Sequence, residues 1–97
     1  MLLVFHRLIQ RDLHSVLTYY TEEGGPKLSD RFYKEFERVT AEIARNPKRF
    51  HFVSGVLRRA NFRKFPYHLL YRETEEGARV LILRHHRRHP NYGLARR

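Results

Sequence analysis

The sequence has no cysteine, no tryptophan, one methionine, four prolines and five glycines in 97 residues. Without cysteine there are no disulfides, thiolate nucleophiles, zinc ribbons or iron–sulfur clusters, an absence that an intracellular compartment permits. No run approaches the roughly 20 apolar residues of a membrane span. The apolar stretch from Met1 to Phe5 is too short for a secretory signal core and has no basic segment before it. A cytoplasmic protein with no membrane association is expected. Gly24-Gly25 lacks the Lys-Ser/Thr that would make a phosphate-binding loop. Carboxylates are scarce as well: ten Asp plus Glu stand against twenty Lys plus Arg, a net charge of +10.

What is present suffices for a core. Apolar residues make up 41% of the chain and aromatics 13%, which argues against disorder. Length, and the absence of repeats or linkers, predict one domain over residues 1–97. Its charge is polarised, because residues 78–97 hold six basic side chains and no acidic one. Such a field favours a polyanion or an acidic partner.

Periodicity divides the chain in two. Ile9, Leu13, Val16, Leu17 and Tyr20 recur at steps of three and four, which predicts an amphipathic helix that Gly24-Gly25 ends. Pro26 suits the first turn of a second helix, striped by Leu28, Phe32, Phe36, Val39 and Ile43 and ended by Asn46-Pro47. Leu2 to Phe5 reads as a short strand. After residue 50 the period becomes two: Phe65 to Arg72 and Val80 to His85 alternate across the polar turn Thr74 to Gly77, and Val56 to Phe62 forms a weaker strand. The expected architecture is α+β, an N-terminal helical hairpin packed on a three- to four-stranded antiparallel sheet. One sheet face covers the hairpin, and the other is free to present basic side chains.

Two groups of residues carry potential chemistry. Arg58, Arg59, Arg63 and Lys64 flank Phe62 and Phe65, a pattern suited to phosphate contact and stacking, or to a charged strand edge over core phenylalanines. The tail Arg84-His85-His86-Arg87-Arg88-His89-Pro90-Asn91-Tyr92 combines cations, imidazoles and a phenol without a carboxylate, the groups that metal-free RNA cleavage needs. Neighbouring arginines should lower the pKa of His85 and His86. A solvated basic tail that binds acidic surfaces is the competing reading. His85, His86 and His89 lack an acidic neighbour and face repelling arginines, so neither a metal nor another cofactor is expected. Asp12 and most helical carboxylates should be solvated or ion-paired, with Glu35 to Arg38 and Asp30 to Lys34 as helix pairs.

Taken together these residues resemble the RelE/ParE superfamily of toxins from type II toxin–antitoxin modules, and are most similar to its ParE-like, plasmid-stabilisation branch. The resemblance rests on Phe5 through Arg11-Asp12-Leu13 to Tyr19-Tyr20, on Arg31-Phe32 with Phe36, and on Asn46-Pro47 with Phe50. Its most specific part is Arg58-Arg59 through Phe65-Pro66-Tyr67, then Leu70-Tyr71-Arg72, then His86-Arg87-Arg88 with Pro90 and Tyr92. It implies a growth-inhibiting toxin held inactive by an acidic antitoxin, as a homodimer or a toxin–antitoxin hetero-oligomer. The ParE-like branch implies action on DNA gyrase through a basic surface, with Arg58, Arg59, Arg63, Lys64, Arg84, Arg87 and Arg88 as contacts. The RelE-like branch implies an mRNA interferase acting on ribosome-bound mRNA, with His68, His86 and Tyr92 as its catalytic groups. There the family's basic pair falls near Arg59 and Asn61, and two of its arginines fall on His68 and His86. A third reading is an inactive remnant that only binds an antitoxin.

Overall fold

The computed structural model describes residues 2–97. The elements, in chain order, are β1 (Leu2–Phe5), α1 (Ile9–Gly24), α2 (Pro26–Arg45), β2 (Phe52–Ser54), β3 (Leu57–Asn61), β4 (Tyr67–Glu73) and β5 (Gly77–His85). Both helices form where the apolar stripes place them. Gly25, at φ 84°, is the hinge between them: its left-handed backbone lets the chain reverse in one residue before Pro26 starts α2.

The stripes of both helices meet one face of the sheet around an aromatic cluster. Phe32 is fully buried at its centre, with ring centroids 5.1 Å from Phe62, 5.1 Å from Phe65, 5.2 Å from Tyr67 and 5.5 Å from Tyr20. Val39 and Ile43 continue the stripe toward Leu69, Tyr71 and Val80 within the same core. At the far end the Tyr71 hydroxyl donates to the Pro47 carbonyl at 2.6 Å, fixing the turn that leaves α2.

The sheet is larger and less uniform than the alternation predicts. It has five strands in the order β1-β5-β4-β3-β2, and β1 runs parallel to β5 while the other pairs are antiparallel. The expected three- to four-stranded antiparallel sheet is thus corrected to a five-stranded mixed one. β2 is three exposed residues with an irregular register, so it has no buried face to leave a periodic signal. The parallel pairing of β1 is set by the long return of the chain through α1 and α2 rather than by its four residues.

A second correction concerns β5. The register shifts between Leu70 and Tyr71, so that Leu70 pairs with Ile82 but Tyr71 with Val80. The bulge turns Leu81 and Ile82 toward one cluster with Leu70, while Val80 and Leu83 stay in the main core. Both faces of the sheet therefore carry apolar residues. The second face is not free as expected: Tyr92 and Leu94 of the C-terminal tail pack on Leu70, Leu81 and Ile82.

Truncating Phe32 removes the hub of the aromatic cluster. Phe32→Ala is expected to cost about 3–5 kcal/mol in chemical denaturation, whereas the exposed Tyr33→Ala should stay within about 0.5 kcal/mol.

Candidate functional site

The second sheet face is built by alternation. In β3, Arg59 and Asn61 point outward, and Arg59 Nε donates to Asn61 Oδ1 at 2.7 Å. Register places His68 of β4 between Asn61 of β3 and Arg84 of β5. His86 arrives from the turn after β5, held by its backbone N–H on the Pro66 carbonyl at 2.8 Å. Four side chains thereby form one chain of hydrogen bonds. Arg84 Nε lies 3.0 Å from His68 Nε2, the Nδ1 atoms of His68 and His86 are 2.9 Å apart, and Arg59 Nη2 is 3.1 Å from His86 Nδ1.

Arginine can only donate, which fixes the tautomers. His68 Nε2 accepts from Arg84, so the His68 proton sits on Nδ1 and is donated to His86 Nδ1. That same His86 nitrogen accepts from Arg59, leaving its proton on Nε2. The imidazole planes differ by only 12° with centroids 5.1 Å apart, the geometry of two rings joined edge to edge in a shared plane. Both rings are neutral. His68, 1% exposed, has its pKa pushed down to about 3, first by burial and then by Arg59 and Arg84. The His86 pKa is also lowered, by burial first and then by Arg59, as expected from the sequence.

Tyr92 does not join this chain. Its carbonyl accepts from Arg84 Nη1 at 3.1 Å, but its hydroxyl crosses to the helical side and donates to Asp12 Oδ1 at 3.2 Å. Arg96 grips the same carboxylate with two nitrogens, Nη1 to Oδ2 at 2.6 Å and Nη2 to Oδ1 at 3.1 Å, and also donates to the Leu81 carbonyl. The Leu83 N–H completes the shell at 3.3 Å. Gly93, at φ 78°, lets the tail lie flat on Ile82, where a Cβ would meet that side chain at 2.8 Å. Asp12 is thus ion-paired, one of the two expected states, but in a buried clasp and with the distant Arg96 as its partner. The sequence did carry a signal: Asp12 stands in the Ile9–Val16 stripe, where a carboxylate needs a partner. Arg96 carried none.

The remaining basic residues separate by role. Arg58 is committed inward: Nη1 donates to the Lys48 and Phe50 carbonyls at 3.0 and 2.8 Å, Nη2 lies 3.4 Å from Glu73, and the guanidinium covers the Phe52 ring at 3.9 Å. Its Nε is buried without a partner. Arg63 and Lys64 sit beside α2, away from the histidines, where Glu35 accepts both backbone N–H groups and the Arg38 fork. Those bonds, the Arg38 fork foremost, hold the Glu35 pKa down at about 2. The Glu35–Arg38 pair forms as expected at 2.9 Å, while Asp30 and Lys34 make no ion pair. Arg87 is exposed, and Arg88 stacks over Tyr92 at 4.1 Å. The structure therefore joins Arg59, His68, Arg84 and His86, sets Arg88 with Tyr92 on the neighbouring edge, and places Arg58, Arg63 and Lys64 elsewhere. Among the described residues no three His, Asp or Glu side chains gather as metal ligands.

The chain is thus a short, strongly cationic α+β domain, with a helical hairpin on a mixed sheet and a tail clasped back over its second face. The sequence profile of the family described as "ParE toxin of type II toxin-antitoxin system, parDE" matches residues 3–90, and the chain belongs to that family. Toxin ParE2 of Mycobacterium tuberculosis is 32% identical over 87 residues, 89% of this chain and 82% of that protein, in both strains CDC 1551 and H37Rv. A chain of the chromosomal ParDE toxin–antitoxin system from P. aeruginosa shares the fold, with a TM-score of 0.77 at 15% identity, over 88% of this chain and 95% of that one. Across all described residues no helix is long and apolar enough to cross a membrane.

Two outcomes test the site's construction. Arg96→Ala leaves Asp12 buried with half its partners gone, and should cost about 3–5 kcal/mol and expose residues after His86 to limited proteolysis. The His68 pKa lies below that of an unfolded histidine, so the unfolded state binds more protons between about pH 6.5 and 3. Stability is fully present above that window and falls with acid, by up to about 1.4 kcal/mol per pH unit for this one proton. His68→Gln should flatten that slope in pH-dependent urea melts.

Proposed function

We propose that the chain arrests growth by docking its basic sheet face on DNA gyrase or a similar macromolecular target, without a chemical step of its own, and that an acidic antitoxin blocks this face. Membership of the ParE family supports the toxin role, and the +10 charge supports an acidic partner. One observation carries the non-catalytic reading. Each ring nitrogen of His68, and Nδ1 of His86, is already used inside the Arg84-His68-His86-Arg59 chain, and the remaining His86 nitrogen bears the proton. Removal of a 2′-hydroxyl proton needs an imidazole acceptor that faces the substrate, and this face offers donors instead. The Tyr92 hydroxyl, held on Asp12, is likewise turned from the histidines.

The ribonuclease reading retains one supporting feature, since Arg59, His68, Arg84 and His86 do converge. Purified toxin incubated with gyrase and supercoiling substrate, and in parallel with ribosome-programmed mRNA, separates the two. The expected outcome is loss of supercoiling with intact RNA, and a reduction of at least ~10-fold in gyrase inhibition for Arg59→Glu, since charge reversal at a docking face penalises association. Cut RNA beside unaffected gyrase would overturn the proposal.

A further inference from the structure

Between α1 and the tail runs a groove of about 320 Å³ that borders the histidine chain through Arg84 but reaches neither His68 nor His86, within the roughly 300–1,000 Å³ range of small-molecule sites. Arg11, Ser15 and Tyr19, spaced four apart, form one wall from a single helix face. Tyr67 and Tyr92 supply aromatic surface opposite, and the Arg88 guanidinium carbon sits over the Tyr92 ring, 4.1 Å from its centroid, placed in advance of any ligand.

The electrostatics of the groove are one-sided. Its single carboxylate, Asp12, is spent: the two oxygens already accept from Arg96, the Tyr92 hydroxyl and the Leu83 N–H. Neither Arg11 nor Arg88 has a carboxylate partner among the described residues. Three guanidinium groups thus line a slot walled by phenol rings, Arg84 tied to His68 and to tail carbonyls, and Arg11 and Arg88 free of carboxylate partners. Guanidinium pairs favour a phosphate, and aromatic walls favour a planar ring. The hydroxyls of Ser15, Tyr19 and Tyr67 make no hydrogen bond to the groove's cations, and each can both donate and accept. Such groups suit the mixed polar edge of a nucleobase better than a plain phenyl ring.

We infer that this groove is a binding site for one nucleoside monophosphate unit, with the phosphate between Arg11 and Arg88 and the base against the tyrosines. The unit is either a free nucleotide or an unstacked residue of a single strand; the chemistry recognised is the same.

Isothermal titration calorimetry of the full chain with adenosine and uridine 5′-monophosphates tests the site. Adenosine alone and inorganic phosphate alone should each bind at least ~10-fold more weakly than the nucleotide. Arg11→Gln, Arg88→Gln and Tyr19→Ala all change exposed side chains, and each should weaken nucleotide binding at least ~10-fold with an unchanged melting temperature. Arg45→Gln removes the same charge from the far end of α2 and should leave the affinity as it was, which excludes a mere net-charge effect. A single-stranded hexanucleotide that displaces bound nucleotide assigns the unit to a strand, and one that fails to displace it assigns a free nucleotide; both outcomes support the site. Equal binding of phosphate and nucleotide, or equal losses in Arg45→Gln and Arg88→Gln, would overturn it.

Discussion

The buried ion pair between Asp12 and Arg96 joins the first helix to the C-terminal tail, and much of the second sheet face depends on it. At 2.6 Å, with the two side chains 3% and 7% exposed, it is deep enough that either partner alone would be an uncompensated charge. Because Arg96 must reach α1, the tail has to cross the sheet, which lays Tyr92 and Leu94 on Leu70, Leu81 and Ile82. Because the tail crosses there, the Pro90 and Tyr92 carbonyls come to Arg84. Arg84, so held, presents Nε to His68, and the tautomers of both histidines follow. One ion pair thus sets, through contacts of ordinary strength, the protonation pattern of a site on the other side of the sheet.

The arrangement of carboxylates explains how so cationic a chain keeps parts of its surface open to anions. Glu35 and Glu42 are gathered on α2, where they hold Arg38 and the backbone of the β3–β4 loop, with Arg49 and Arg63 as looser partners. Glu73 does the same for Arg58 at the other end of the sheet. Acidic groups therefore serve as local fasteners near α2 and β2, and none reaches Arg59, Arg84, Arg87 or Arg88. Cations left without partners cost stability through mutual repulsion, which a partner of opposite sign would relieve.

The helical hairpin was legible because burial on one face writes a period of 3.6 into Ile9–Tyr20 and Leu28–Ile43, and the chain breaks at Gly25 and Asn46 have local causes. Convergence of Arg59, His68 and Arg84 was half legible, since alternation puts them on one face but only register makes them neighbours. What escaped was long-range or weakly patterned. β2 buries nothing; the bulge at Leu81 depends on cross-strand packing; and the clasp spans 84 residues between Asp12 and Arg96. Tyr92 shows the limit most sharply. Its place in the tail motif implied a ring beside the histidines, yet the left-handed turn at Gly93 and the pull of Asp12 direct its hydroxyl to the opposite side.

The neutral histidine pair is best understood as a spacer that makes the cationic face possible. Burial first, and then the nearby Arg59 charge, lower the pKa of Arg84. Two guanidinium groups in that position need acceptors, and a carboxylate would supply them only by cancelling their charge. Imidazole accepts a hydrogen bond and stays uncharged while its pKa is depressed, so it satisfies both donors and leaves their charge intact. The same logic explains why His68 is buried: water near that ring would raise its affinity for a proton, and a protonated pair would place three or four positive groups in one cluster. With three of the four ring nitrogens engaged with each other and with the two arginines, and the imidazoles kept unprotonated, the site is well suited to holding those arginines in place.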